Sequence, residues 1–348
     1  MVCELLLVPT DKGRALTTVR ANVGATAVMF LGDDVTDEDA FATLAGPDVG
    51  VKVSDGDTIA PFRVGSPDEV AILLAALRTR RADWLAGAGV TPIEDHSILS
   101  DQRTAAIVTP DALITWLCVP RIDSSAIFAE LLGGPGAGHF SIRPLSNGRE
   151  PTQSYVDDSL VLRTSWGTMS VTDYLDCSDG RPNRISGRTD LVRVIEGSGT
   201  AVIEFAPRLD FGRFPTQLEV REGGLEVTNA HDLVVLRAPD VEWTILDHGM
   251  HQTAVVEVDL SNGPITLDLR CGTASMRPDR SPEEERRQRT TSFWSDWAHR
   301  LELPAVEPDM VRRSALTLKA LCYGPTGAIL AAATTSLPEF IGGVHQWD

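Results

Sequence analysis

LVRVIEGSGTAVIEFAP, residues 191–207, sets two strand-length apolar runs on either side of Gly197-Ser198-Gly199. Val, Ile and Phe suit a pleated, half-buried surface, and a glycine turn between two such runs is a hairpin signal. The pattern repeats outward in both directions. TAAIV (104–108), LITWLCV (113–119) and SYVDDSLVLRTSW (154–166) precede it; LEVRE (218–222), LEVTN (225–229), DLVVLRA (232–238), VEWTIL (241–246), AVVEVDL (254–260) and PITLDLR (264–270) follow. Gly223-Gly224 and Asn262-Gly263 supply further turns. Many short runs that alternate apolar with polar residues predict antiparallel sheets stacked as a sandwich. Trp116, Phe128 and Phe205 are expected in its core.

The ends of the chain read differently. Residues 2–8 (VCELLLV), 27–31 and 49–53 are apolar strand candidates, with a helix expected from about Arg14 to Ala21 and others after Thr36 and Ser66. Thr36 with Asp39, and Ser66 with Glu69, have capping-box spacing. Alternating β and α with apolar strands predicts a parallel sheet covered by helices on both faces. Arg78 to Asp95 mixes a basic RTRR cluster with small, turn-forming residues and is expected to be a boundary. Near the other end, RSPEEERRQRTTSFWSDWAHRL (280–301) reads as a connecting helix with Phe293, Trp294 and Trp297 as its buried stripe. Val311, Ala315, Leu318 and Cys322 have helical spacing in the next segment, which Gly324-Pro325 stops.

The 348 residues carry 31 basic and 49 acidic side chains, a net charge of −18. So acidic a surface repels a phosphate backbone, which argues against nucleic acid as a partner. The longest apolar stretch, Val70 to Leu77, is far below the ~18 residues of a membrane-spanning helix, so no membrane partner is expected. Met1 to Gly13 lacks the basic start and cleavage site of a secretory signal. Five scattered cysteines without a C-x-x-C pair suit buried thiols in a reducing cytoplasm.

In a parallel α/β sheet, ligands bind at the carboxyl ends of strands, here the loop Gly32 to Asp37. It holds Asp33, Asp34 and Asp37, hard oxygen donors of the kind Mg²⁺ takes, or a solvated acidic turn that favours a helix start. Asp247, His248 and His251 are either weak zinc-ligand candidates or another solvated turn. The glycines of GGPGAG (133–138) lack the Lys-Ser/Thr ending of a phosphate cradle and read as a surface loop. Arg121 and Asp123 are placed to form a bidentate pair that braces a junction or reaches a neighbouring sugar site.

DKGRAL (11–16) followed by FLGDDVTDEDAF (30–41) resembles the trehalose-6-phosphate phosphatase branch of the haloacid dehalogenase phosphatases, over residues 1–80. The resemblance implies that Lys12 holds an aspartyl-phosphate by charge and that Asp33, helped by Asp34 or Asp37, positions Mg²⁺ as cofactor. Nothing upstream of Lys12 supplies that family's D-x-D nucleophile, so no phosphatase turnover is expected. A second resemblance begins after a linker at 81–94. DHSILSDQRTAAIVTPDALITWLCVPRIDSSAIFAELLGG (95–134), GHFSI, SVTDYLD and FAPRLDFGR are similar to the amino-terminal β-sandwich of family-fifteen glycoside hydrolases, the glucoamylase- and trehalase-like proteins.

Together the resemblances imply a multidomain chain. A partial Rossmann-like α/β phosphatase core (1–80) precedes a β-sandwich (95–276), a connecting helix (277–305) and the start of a truncated (α/α) barrel (306–348). They also imply trehalose 6-phosphate, trehalose or an α-glucan as substrates of the parent enzymes. AILAAATTSLPEFIGGVHQWD (328–348) resembles the loop that enters the sugar site, with Trp347 and Asp348 lining the first subsite. The inverting mechanism uses two carboxyl groups roughly 6.5–9.5 Å apart. The resemblance puts both catalytic glutamates on later barrel helices, and Glu339 is no substitute. The expectation is a fragment of a fused hydrolase of trehalose metabolism without turnover of its own, or else a carbohydrate-binding or interaction β-sandwich module without catalysis.

Overall fold

The computed structural model describes residues 11–23, 25, 27–85, 91–146, 149–183 and 187–337. They fall into two compact units, one drawn from Met1–Thr91 and the other from Pro92–Glu339.

The first unit contains α1 (Lys12–Val23), β1 (Met29–Gly32), α2 (Glu38–Phe41), β2 (Val49–Val53), β3 (Phe62–Val64) and α3 (Pro67–Leu85). Its three strands pair in parallel in the order β1-β2-β3. The expected strand at residues 2–8 lies outside the described residues. The helix start after β1 is capped earlier than the Thr36/Asp39 spacing predicted. Asp34 accepts the Val35 N–H at 2.6 Å and Asp37 accepts the Asp34 N–H at 2.8 Å, so this pair closes the box around a 3-10 turn, Val35–Asp37. Its reason is local: Asp34 and Asp37 sit nearest the strand end and satisfy the first orphan donors. β3 was not foreseen. Nor does α3 cover the sheet as the pattern suggested, because Ile72, Leu74 and Leu77 on it are exposed.

The second unit is a sandwich of two eight-stranded sheets. In chain order its strands are β4 (Ser97–Ser100), β5 (Ala105–Val108), β6 (Ile114–Cys118), β7 (Ala126–Phe128), β8 (His139–Pro144), β9 (Thr152–Tyr155), β10 (Leu162–Ser165), β11 (Met169–Leu175), β12 (Thr189–Gly197), β13 (Thr200–Ala206), β14 (Leu218–Arg221), β15 (Gly224–Val227), β16 (Val234–Arg237), β17 (Thr244–Asp247), β18 (Gln252–Asp259) and β19 (Ile265–Cys271). One sheet runs β14-β15-β16-β19-β12-β11-β10-β9, and the other β17-β18-β13-β8-β6-β5-β4, with β7 beside β6. The hairpin from which the sequence was read is split between them. β12 joins the first sheet and β13 the second, so Gly197–Gly199 is a crossing from layer to layer.

The inward faces form one continuous core. Ile114, Phe140, Ile203 and Phe205 from one sheet share it with Val171, Ile195 and Leu269 from the other. Phe128, Phe140 and Phe205 stack at its centre with ring centroids 5.2–6.1 Å apart, an arrangement that adds to the area they bury. Trp116, by contrast, is buried on the outer face of its sheet.

Two helices follow. The 283–298 helix buries Arg286, Thr290, Trp294 and Ala298, so its stripe begins with a charge, and Phe293 and Trp297 only flank it. The 308–320 helix buries Leu316 and Ala320 and leaves Val311 and Leu318 exposed, a shift of face from the apolar spacing. Its inner side is set instead by Arg313, whose guanidinium lies 4.0 Å from the centroid of the Tyr155 ring.

At the layer crossing, Gly197 has φ +121° and an added Cβ would fall 2.1 Å from the Thr168 carbonyl oxygen. Gly199, with φ +94°, faces open space. Gly197→Ala is therefore expected to destabilise by about 2–3 kcal/mol in urea unfolding, against ~1 kcal/mol for Gly199→Ala.

Candidate functional site

The outer face of β5, β6 and β7 carries residues 333–337. Ala333, Ser336 and Leu337 lie against Trp116, Cys118, Ala126 and Ala129. Trp116 donates its indole N–H to the Ala333 carbonyl at 2.9 Å, and Cys118 Sγ is 3.2 Å from Ser336 Oγ. Burial and the nearby Asp123 charge push the Cys118 thiol up to about 12 despite Ser336, so it stays protonated. The β4–β5 turn holds the preceding stretch. Ser100 Oγ donates to the Ala320 carbonyl at 2.7 Å, while Gln102 donates to Lys319 and Cys322 carbonyls and accepts the Gly324 N–H at 2.8 Å. Gly324 has no room for a side chain: a Cβ would lie 2.2 Å from the Pro182 oxygen.

What fixes the helix between sandwich and segment is a buried charge network. Arg286 reaches Asp176 at 2.8 Å, Asp190 at 3.1 Å and Asp268 at 3.2 Å. Arg181 bridges Asp176, Asp190 and Asp279; Arg188 joins Asp190 and Asp279; Arg270 pairs with Asp268 at 2.8 Å. Burial and Asp268 push Asp190 up to about 6 against Arg181, Arg188 and Arg286, whereas Arg181 and Arg286 overcome burial to hold Asp176 low. Oxygens of Asp190, Asp268 and Asp279 all lie within 4.8 Å of one another. The Arg286 guanidinium is within 4 Å of all three carboxylates, in the place a cation would otherwise take.

The acidic loop of the first unit is arranged differently from a metal centre. Lys12 Nζ lies 2.6 Å from Asp37 Oδ1, and this contact outweighs its partial desolvation and raises the lysine. Asp37's other oxygen takes the Asp34 N–H, and Asp34 is occupied by the Val35 N–H and, at 3.4 Å, the Thr36 hydroxyl. Asp33 is exposed. The structure thus brings Lys12 to Asp37 and does not assemble Asp33, Asp34 and Asp37 into a three-oxygen site of the Asp190 kind.

Other candidates separate in the same way. Arg121 and Asp123 form the foreseen bidentate pair, both bonds 2.9 Å, within one exposed turn. His248 and His251 close the β17–β18 turn, and His251 Nδ1 stands 3.3 Å from Thr216 Oγ1. Trp347, Asp348 and Glu339 lie outside the described residues. His139, singled out by no motif, sits between Glu130 at 3.0 Å and Glu204 at 3.2 Å. Burial opposes its charge, but the two carboxylates prevail and hold it at about 9.

With this geometry in view, comparison with known proteins is decisive for the second unit. The family described as "Trehalase-like, N-terminal" matches residues 79–294. The chain belongs to that family. The trehalase of Mycobacterium tuberculosis is 30% identical over 74% of this chain and 41% of its own length. That of Mycolicibacterium smegmatis is 31% identical over 74% and 42%. The chain thus spans about two fifths of the length of these relatives. A putative kojibiose phosphorylase from the human microbiome covers 61% of the chain at 9% identity, with a TM-score of 0.22, too slight a likeness to carry an argument. The family match supports the glycoside-hydrolase half of the double resemblance; none of these matches supports the phosphatase half.

The charge network was the main omission of the sequence reading. Its signal was present in DYLD (173–176), RTDLVR (188–193) and LDLR (267–270), where Asp and Arg interrupt apolar strands. Charges at such positions are buried in pairs or not at all.

Two outcomes follow. Arg286→Ala takes one cationic partner from each of four aspartates, Asp176, Asp190, Asp268 and Asp279, and should lower unfolding free energy by about 3–5 kcal/mol, whereas Arg121→Ala should cost under ~1 kcal/mol. His139 gains charge on folding because its folded value, about 9, exceeds its ordinary 6.5. Its contribution is therefore complete below 6.5 and lost as pH rises through about 9, a slope in urea-unfolding stability that His139→Gln should flatten.

Proposed function

We propose that this chain is the sandwich-bearing part of a cytoplasmic trehalase-type glycoside hydrolase and that trehalose is the substrate of the whole enzyme. The observation that carries the reading is the seating of Ala333 to Leu337 on Trp116 and Cys118. By resemblance this segment leads into the loop that enters the sugar site, where Trp347 would stack on a glucose ring and Asp348 would accept its hydroxyls. The sandwich's part in catalysis is positional: a hydrogen-bonded, water-excluded seat limits where the loop can begin. Proton donation and water activation belong to two glutamates on further barrel helices, so the chain by itself does not turn trehalose over. Cys118, Cys177 and Cys271, buried and free, suit a reducing compartment. No helix among the described residues is long and apolar enough to cross a membrane.

For the first unit the proposal is a phosphatase-type core without turnover, its parent acting on trehalose 6-phosphate. Supporting it are the parallel β1-β2-β3 order and the placing of Lys12 and the acidic loop at the carboxyl end of β1. A lysine there neutralises phosphate oxygens, though here Asp37 already holds it.

The test is a pair of assays on the purified chain and on the full genomic reading frame that contains it. The chain should release neither glucose from trehalose nor phosphate from trehalose 6-phosphate, and the full frame should release glucose from trehalose with inversion. Glucose release by the full frame from maltose or starch but not trehalose would overturn the substrate; phosphate release by the chain would overturn the inactive-core reading.

A further inference from the structure

The segment between β13 and β14, RLDFGRFP (208–215), contains an unusual backbone. Asp210, Phe211 and Gly212 have φ of +51°, +60° and +81°, three left-handed residues in succession. For an L-residue that conformation costs about 1–2 kcal/mol, and a phenylalanine in it is an outlier. Such strain persists only where the surroundings enforce it, and it gathers at ligand sites. Here Phe211 is turned inward, its ring centroid 6.0 Å from that of Trp116, and Arg213 lies over it while pairing with Asp210 at 2.7 Å.

The consequence appears on the other side of the turn. Leu209 and Phe214 become one wall of a cleft of about 590 Å³ at the end of the sandwich, within the ~300–1,000 Å³ usual for small-molecule sites. The facing wall is the loop Asn229 to Asp232, and the floor is apolar: Val119, Ile127 and Val234. Asn229 ties the walls together, accepting the Gln217 N–H at 3.0 Å and donating to the Pro215 carbonyl. The cleft is thus built in advance of any occupant.

Its chemistry narrows the occupant. Phe214, 59% exposed, offers a flat apolar face at the mouth. Ser125 and Asp232 offer hydroxyl and carboxylate around it, while the His231 side chain stands out in solvent. Arg213 is engaged by Asp210, and a carboxylate at the rim repels anions, so phosphates and carboxylates are unsuited. A neutral polyol with one apolar face fits, which describes a pyranose ring: its C–H face stacks on an aromatic and its hydroxyls meet carboxylate and hydroxyl. We infer that this cleft is a non-catalytic binding site for a hexopyranose unit, held on Phe214 with hydroxyls toward Asp232 and Ser125. That the unit is a glucosyl group rests on the trehalase reading.

Calorimetric titration of the purified chain with trehalose and with maltoheptaose tests the site. Saturable binding is expected for at least one, weakened at least about tenfold by Phe214→Ala and by Asp232→Ala with melting temperature unchanged. Tighter binding of maltoheptaose identifies an α-glucan end as the source, and tighter binding of trehalose the free disaccharide; either supports the site. No heat with either sugar overturns the inference, as does binding that survives both substitutions. The enzymatic reading fails separately: sugar binding by the chain alongside a full frame that hydrolyses no trehalose overturns that reading and leaves the cleft standing. Hydrolysis by the full frame with no binding by the chain does the reverse.

Discussion

Arg286 is the group on which the second unit depends. One guanidinium from a helix joins Asp176 beyond β11, Asp190 of β12 and Asp268 of β19, and so ties the helix to one sheet. A buried charge has no tolerable alternative to its partners, since neither water nor an apolar neighbour replaces them in place. The network is balanced by composition, with Arg181, Arg188, Arg270 and Arg286 set against Asp176, Asp190, Asp268 and Asp279. Geometry this demanding fixes the helix axis more narrowly than an apolar stripe, in which side chains slide at little cost.

From that anchor the remaining placements follow in sequence. The 283–298 helix packs with Leu316 and Ala320 of the 308–320 helix around Trp294. Arg313 then lies over Tyr155 of β9, and the Ser100 and Gln102 hydrogen bonds hold the end of the second helix to the β4–β5 turn. Beyond it, the segment at 333–337 arrives on the outer face of β6, where Trp116 and Phe211 receive it. The strained 208–215 loop serves both sides of this region, presenting Phe211 to the segment's seat and Phe214 to the cleft.

The fold class of the second unit was legible because a two-residue period is a local property. VIEFA and LDLR alternate whichever sheet they join, and the Gly197 turn is required by its own backbone. Helix faces were less so. Val311 and Leu318 have apolar spacing and are exposed, because the face that meets Trp294 is that of Leu316 and Ala320. In the first unit, the acidic residues were visible but their use was not: Asp34 and Asp37 act as caps and Asp37 as the counter-ion of Lys12, a choice that rests on distances of 2.6–2.8 Å.

By itself, the sequence determined most strands of the second unit, the glycine turns between them, the acidic charge and the family wording that places this unit beside trehalases. Tertiary structure alone decided which sheet each strand enters, which Asp meets which Arg, and that Trp116 faces outward to hold Ala333. The physical reason is range. Periodicity and turn chemistry act between residues a few positions apart, whereas Arg286 and Asp176 are 110 residues apart and Trp116 and Ala333 are 217 apart. Only the packed chain brings such groups within reach of a hydrogen bond.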